Sequence, residues 1–123
     1  ALANLAILEN ERLVDRVRDD IGPYFAKAWK SLEDHEVVGE AQVAGLMGGL
    51  QLSPDKSVRA RYAKPDDAGV LVRNHCLEDG LVMRATSDRM LASPPLIISH
   101  AQVDEMIDKL RGGLDVLRDS RIG

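Results

Sequence analysis

The chain has 123 residues, of which 45% are hydrophobic and 3% aromatic, and its net charge at pH 7 is −4. This length fits one compact domain, residues 1–123, with a core that we expect to be built from aliphatic side chains. The acidic balance argues against nucleic acid as a partner, because phosphate backbones are bound by clustered positive charge.

Cys76 is the single cysteine, so the chain cannot form an internal disulfide. An unpaired thiol favours a reducing compartment, and we expect a cytoplasmic protein. No segment approaches the roughly 18 consecutive apolar residues of a membrane span, and the first residues lack the layout of a secretory signal. We therefore expect a soluble protein with no membrane partner.

Residues 1–31 are predicted to form a long amphipathic helix, because apolar residues recur at steps of three and four with one wider gap after Leu8. Gly22-Pro23 should kink or break it, since proline removes one hydrogen bond of the helix and clashes with the preceding turn. The apolar spacing begins at Leu2 with no capping residue before it. From this start we expect a domain excised from a longer protein, although processing or a cloning remnant would give the same pattern.

Residues 37–52 are too rich in valine and glycine for a helix and are predicted to form one long strand or two short ones. Gly48 and Gly49 interrupt this pattern. They indicate either a β-bulge or a place where a backbone or ligand comes close, and the bulge is the expectation.

Residues 53–64 are predicted to form a polar surface loop. A helix should open at Pro65-Asp66-Asp67, with proline in the first turn and acids where the helix dipole favours them, and should end at Gly80. Its inner face is expected to carry Ala68, Leu71 and His75, or Val72 and Cys76. 

Residues 81–98 are predicted to form two short strands around a polar turn, closed by a double proline. Ser99 and Gln102 have the spacing of a capping box, and a second amphipathic helix follows, with Gly112-Gly113 expected to fray its last turns. The order of elements predicts an α+β fold, in which a small, mostly antiparallel sheet of three to four strands carries helices on one face, with long helices at both ends.

Most reactive residue types in the chain have no pattern that indicates chemistry. The three histidines have no metal-ligand spacing, Cys76 is expected to be a buried inert thiol, and residues 45–49 match no phosphate-binding loop. No lysine is credible as a Schiff-base lysine, because all five are expected on helix faces or in the polar loop: Lys27, Lys30, Lys56, Lys64 and Lys109.

Arg84 is the candidate site residue. It follows the apolar run Leu81-Val82-Met83, so we expect it at the end of a strand, where a guanidinium can hold a carboxylate through two hydrogen bonds. The alternative is a structural ion pair with Asp88 or Glu78 at the edge of the sheet. The spacing alone leaves both interpretations open.

Several segments in order resemble the small C-terminal domain of the class III aminotransferases. The resemblance rests on the following runs: Asn4-Leu5, residues 9–17, Gly22-Pro23-Tyr24, Val38-Gly39-Glu40, residues 45–52, residues 76–84 and Ser93-Pro94-Pro95-Leu96. Members acting on α-amino acids often carry an arginine three residues before the paired prolines, where this chain has Leu91. The Met83-Arg84-Ala85 pattern with Asp88 instead resembles the ω-aminotransferases that use putrescine, β-alanine or other primary amines with pyruvate. In that subgroup the arginine matching Arg84 is mobile and binds the carboxylate of pyruvate or alanine, which favours a substrate-binding role for Arg84.

The resemblance also implies the cofactor and partners of a parent enzyme. Class III aminotransferases use pyridoxal phosphate, held with its lysine in a large upstream domain, and work as homodimers. Residues 1–123 would then be inactive alone and would bind neither cofactor nor metal, and the isolated domain is expected to self-associate through the apolar surface that the large domain covers. The alternative is a stand-alone α+β module that binds a metabolite or a protein without catalysis. A catalytic single-domain enzyme has little support, because no nucleophile and base are placed together.

Overall fold

A computed structural model describes residues 1–64 and 66–120. Its centre is a four-stranded antiparallel sheet with the strand order β1-β2-β4-β3, formed by β1 (Val38–Ala44), β2 (Met47–Leu52), β3 (Arg84–Thr86) and β4 (Arg89–Ala92). Helices pack on one face of this sheet, and the α+β prediction is confirmed.

The N-terminal region is divided into α1 (Leu2–Asn10), α2 (Leu13–Arg16), a π-helical turn (Val17–Ile21), α3 (Gly22–Lys30) and a 3-10 turn (Ser31–Asp34). The sharp break, which the sequence pattern did not predict, lies at Arg12, whose φ is +50°. The chain is not broken at Gly22-Pro23. It remains helical there, because the π-helical turn that precedes it is wider than an α-helical turn. A Cβ atom on residue 22 would lie 2.1 Å from the carbonyl oxygen of Val17, so that turn requires glycine.

Two short strands form in residues 37–52, and the expected bulge at Gly48-Gly49 is wrong. Both glycines pair in regular register with β1 and β4, and the irregularity of the β1–β2 ladder lies between Val38 and Glu40. Gly48 instead allows a close approach from α3, where the ring of Trp29 occupies the space that a side chain at position 48 would need. 

The polar loop contains only a 3-10 turn (Lys56–Val58), and α4 (Asp67–Glu78) follows it. Pro65, which we expected in the first turn, lies outside the described residues. Ala68, Gly69, Val72 and Cys76 are buried, whereas Leu71 and His75 are only partly buried. The inner face therefore runs through Val72 and Cys76, as in the second prediction, and also includes Ala68 from the first. Gly80 follows the helix with φ +88°, as predicted for a helix end.

The hairpin of β3 and β4 starts later than predicted, because residues 81–83 lie outside the sheet and Arg84 is the first residue of its strand rather than the last. The capping box is confirmed: the backbone N–H of Gln102 donates to Oγ of Ser99 at 3.1 Å, and the backbone N–H of Ser99 donates to Oε1 of Gln102 at 3.0 Å. Helix α5 (His100–Ser120) continues through Gly112-Gly113, so the expected fraying is not found among the described residues.

The core lies between the sheet and α3, α4 and α5. Most of its members are aliphatic, as composition predicts, but its two largest side chains are aromatic: Trp29 and Phe25 are fully buried and stack at 5.5 Å between ring centroids. Within the described ranges, no helix is long and apolar enough to cross a membrane.

Candidate functional site

An open groove of about 1370 Å³ lies at the end of the sheet where β1 and β4 finish and β2 and β3 begin. Residues 81–83, the segment Ser93-Pro94-Pro95 and the first half of α5 complete its walls. Met47, Val82 and Leu91 expose large apolar side chains along it. The groove therefore combines an apolar lining with a few charged groups, which is the usual composition of a small-molecule site.

Arg84 lies in this groove, on the face of the sheet that the helices leave open. The strand register pairs Arg84 of β3 with Leu91 of β4 and pairs Leu91 with Gly49 of β2. Gly49 in turn pairs with Gln42 of β1. These four residues form one row across all four strands, the Arg84 row. Because side chains alternate between the faces of a strand, every member of the row faces outward.

The guanidinium of Arg84 is exposed and has no partner among the side chains of residues 1–64 and 66–120. The structural ion pair with Asp88 or Glu78 is therefore absent. Asp88 is only 4% exposed, and its Oδ1 atom is buried without a hydrogen bond. The other two cations of the groove are engaged: Nζ of Lys109 lies 2.9 Å from Oε1 of Glu105, and Arg73 donates to Oδ1 of Asn74 at 3.3 Å.

The hairpin that carries Arg84 is fixed at its turn. Ser87 has a φ of +55°, and its backbone N–H donates to Oδ1 of Asp66 at 2.8 Å. Helix α4 packs directly under this turn, since a Cβ atom at Gly69 would lie 2.6 Å from the carbonyl oxygen of Ser87. The backbone N–H of Leu52 donates to the carbonyl oxygen of Asp88 at 2.7 Å. The hairpin is thus held on two sides.

The double-proline wall of the groove is held by a residue that sequence reasoning missed. The guanidinium of Arg16 donates to the carbonyl oxygens of Leu96 and Ile98, directly after the prolines. The backbone N–H of Ile98 closes a turn onto the carbonyl oxygen of Pro95 at 3.0 Å. The contact joins residues some 80 positions apart in the chain, so no local sequence pattern marks Arg16 for this role.

His35 and His100 join helix α5 to the N-terminal part of the chain. His35 is buried, its Nδ1 accepts from the backbone N–H of Val37, and its Nε2 therefore carries the proton donated to Oδ1 of Asp115 at 2.7 Å. His100 stacks on Tyr24 with ring centroids 4.1 Å apart. No group of three or more metal-ligating side chains is found in the part of the chain that the structure describes.

The remaining reactive groups do not fit covalent chemistry. Burial raises the pKa of the Cys76 thiol to about 11, which keeps it protonated at neutral pH, as expected for an inert thiol. A lysine that forms a Schiff base must lose its proton, which burial or a neighbouring cation promotes. The hydrogen bond with Glu105 instead raises the pKa of Lys109. Lys30 and Lys56 donate to oxygen atoms, whereas Lys27 and Lys64 are exposed. None of the five lysines is therefore both buried and free of an acceptor oxygen.

The chain is similar to known transaminases over nearly its whole length. It is 42% identical over 115 residues to putrescine–pyruvate aminotransferase of Pseudomonas aeruginosa, covering 94% of this chain and 25% of that protein. It is 32% identical to adenosylmethionine-8-amino-7-oxononanoate aminotransferase of Methanocaldococcus jannaschii, covering 89% of this chain and 24% of that one. No protein-family model matches the chain.

Solved structures show the same fold. A transaminase solved with L-alanine superposes with a TM-score of 0.91 at 36% identity and covers 97% of this chain and 27% of its own. The omega transaminase from Pseudomonas jessenii in complex with PMP gives a TM-score of 0.88 at 27% identity, covering 95% and 26%. The chain thus spans about a quarter of the length of these relatives. In sequence and in fold, it belongs to the class III aminotransferases and corresponds to the C-terminal small domain of their ω-aminotransferase subgroup.

Proposed function

We propose that this chain is the small domain of a pyridoxal-phosphate-dependent aminotransferase that moves an amino group from a primary amine or an ω-amino acid to pyruvate. In this proposal the groove forms one wall of the active site, and Arg84 binds the carboxylate of the keto acid. The observation that carries it is the exposed guanidinium of Arg84, which lies in the groove without a carboxylate partner from the described chain.

The chemistry of the two substrates supports this role. The name of the Pseudomonas aeruginosa relative gives putrescine and pyruvate as its substrates, and another structural relative was solved with L-alanine. Pyruvate and alanine carry a carboxylate, whereas putrescine carries none. A site that accepts both kinds of substrate in turn needs a cation that can move away when the substrate has no carboxylate. Otherwise the cation would be left buried and unpaired, which is costly. A long, exposed arginine without a structural ion pair meets this requirement.

Pyridoxal phosphate would supply the electron sink for transamination. None of the lysines of this chain has the surroundings of a Schiff-base lysine. We propose that the cofactor and its lysine belong to a separate large domain, that residues 1–123 form one domain that is inactive alone, and that the complete enzyme is a cytoplasmic homodimer.

The inactivity of the isolated chain is tested with the cofactor itself. The chain is mixed with pyridoxal phosphate, reduced with borohydride and examined by mass spectrometry, and putrescine:pyruvate turnover is measured in parallel. We expect neither a stoichiometric adduct on one lysine nor turnover. A stoichiometric single-lysine adduct together with turnover would refute the proposal that the chain is inactive alone. 

The role of Arg84 is tested with Arg84→Ala in the complete enzyme, comparing pyruvate with an uncharged aldehyde as amino acceptor. A charge-assisted hydrogen-bonded pair contributes about 1.5–3 kcal/mol, so we expect kcat/KM for pyruvate to fall roughly 10- to 100-fold. The aldehyde should be affected much less. Equal losses on both acceptors would argue against a carboxylate-binding role.

Arg89→Ala is the matched control. Arg89 lies on the same face of the sheet, outside the groove, and its Nε already donates to Oε1 of Gln51 at 2.8 Å. We expect its removal to leave the preference between pyruvate and the aldehyde unchanged. A shift of the same size in both arginine variants would point to the net charge of the sheet face instead of a specific contact.

A further inference from the structure

Gly49 is a glycine that neither packing nor backbone conformation explains. It lies in the middle of β2, paired with Gln42 on one side and Leu91 on the other. Glycine weakens a strand interior relative to alanine, and its presence there often marks a bulge or a close approach by another group. The regular register of Gly49 with both neighbouring strands excludes a bulge. The neighbouring Gly48 has such a reason, because a Cβ atom there would lie 2.5 Å from the ring of Trp29.

The space above Gly49 is open. A Cβ atom at this position would meet only Cδ2 of Leu91 within 4 Å, at 3.7 Å, which is an ordinary van der Waals contact. Its φ is not in the left-handed region that favours glycine. An alanine would therefore fit the folded domain without strain, and the missing side chain leaves a gap in the outward face of the sheet.

This gap belongs to the Arg84 row and lies in the groove. Neighbouring strands are about 4.8 Å apart, so Gly49 lies roughly 10 Å from Arg84 with Leu91 between them. An extended arginine that holds a carboxylate can span this distance. Along the Arg84 row, the positive charge of Arg84 is thus followed by the apolar side chain of Leu91 and then by the exposed backbone of Gly49.

The floor of the gap is held in place from the other side of the sheet. The indole N–H of Trp29 donates to the carbonyl oxygen of Gly49 at 3.2 Å, and Trp29 is fully buried. Because Gly49 pairs with strands on both sides, its backbone is committed to the ladders. Gly49 can therefore offer space to a ligand, while Arg84 offers the charge.

We infer that Gly49 is a specificity-determining residue of the Arg84 site and that its bare backbone is the floor on which the carboxylate end of a short 2-oxo acid lies. This inference rests on the proposed function of Arg84. It assigns the side of the arginine on which the acid binds, and it predicts that bulk at position 49 selects against carboxylate-bearing acceptors.

The test uses Gly49→Ala and Gly49→Val in the complete enzyme, with pyruvate and an uncharged aldehyde as the two acceptors. We expect the KM for pyruvate to rise about threefold in the alanine variant and at least tenfold in the valine variant. The ratio of kcat/KM for aldehyde over pyruvate should rise at least fivefold with valine. The melting temperature of the alanine variant should equal or exceed that of the parent.

Gly39→Ala is the control, because a Cβ atom on this strand glycine also meets only ordinary contacts, at 3.5 Å, and the residue lies outside the groove. It should leave the acceptor ratio unchanged. If Arg84→Ala is selective against pyruvate while both Gly49 variants are not, the floor assignment is wrong and the proposed function stands. If Arg84→Ala is unselective, the proposed function fails first.

Two further outcomes would also overturn the assignment. A valine at position 49 that spares pyruvate and impairs the aldehyde would mean that the gap receives the side chain of Arg84 itself. An alanine variant that does not fold would mean that packing, and not a ligand, requires the glycine.

Discussion

The indole ring of Trp29 fills the space that a side chain on Gly48 would occupy. A Cβ atom at position 48 would lie 2.5 Å from Cε2 and 2.8 Å from Cδ2 of that ring. Since the same indole donates to the carbonyl oxygen of Gly49, one side chain of α3 fixes the height of β2 above the helical layer. The position of the outward groove therefore depends on a contact made on the buried face of the sheet.

Gly48→Ala should destabilise the domain. The added methyl group cannot be accommodated without moving a fully buried ring, and overpacking of this kind costs typically about 1–3 kcal/mol. We expect urea unfolding to show a loss of that size in the free energy of unfolding. Gly49→Ala is the matched variant, and it should be neutral or gain about 0.5–1 kcal/mol. Equal losses in the two variants would contradict the packing argument.

The paired glycines of α5 should also respond differently to alanine. A Cβ atom at Gly113 would lie 3.1 Å from both Sγ of Cys76 and Cγ1 of Val72, whereas at Gly112 it would meet only Nε2 of His75, at 3.6 Å. Alanine gains about 0.8–1 kcal/mol over glycine inside a helix. Gly112→Ala should gain most of this in thermal or urea unfolding. Gly113→Ala should gain less or lose stability, and the reverse order would show that α4 and α5 do not meet at this residue.

Local sequence patterns were sufficient to predict most of the fold. The capping box of Ser99 and Gln102 and the left-handed Gly80 were predicted correctly, because each depends on residues a few positions apart. The strand pairs were predicted for the same reason. Arg84 was singled out from the apolar run before it, although that run lies outside the sheet and Arg84 begins the strand.

The features that the sequence patterns did not predict depend on contacts between residues far apart in the chain. Gly48 does not mark the expected bulge; it makes room for the ring of Trp29, which lies 19 positions earlier in the chain. Arg16 binds carbonyl groups some 80 positions later. The site itself depends on register, since only strand pairing places Gly49 and Arg84 in one row. A sequence pattern without the sheet order could not have shown this.

Cys76 should be unreactive in the folded chain. It is fully buried against α5, and burial raises the pKa of its thiol to about 11, so the reactive thiolate is scarce at neutral pH. A disulfide reagent such as DTNB should label the unfolded chain completely in urea and label the native chain only at the rate of its opening. Rapid labelling of the native chain at pH 8 would contradict this assignment. Gly113→Ala crowds Sγ and provides an internal comparison for that rate.

Tyr62 should make the stability of the domain depend on alkaline pH. Burial, and to a smaller extent the charge of Asp88, raises the pKa of Tyr62 to about 12 from its ordinary value of 10.0. Above pH 10 the unfolded tyrosine loses its proton while the folded one keeps it, so this contribution to stability falls between pH 10 and 12. Tyr62→Phe should flatten that fall in urea unfolding at each pH. In a Tyr24→Phe background, which leaves Tyr62 as the only tyrosine, Asp88→Asn should lower the pKa of Tyr62 in an ultraviolet titration while burial keeps it above 10. An unchanged pKa would place the charge of Asp88 too far from the phenol to act on it.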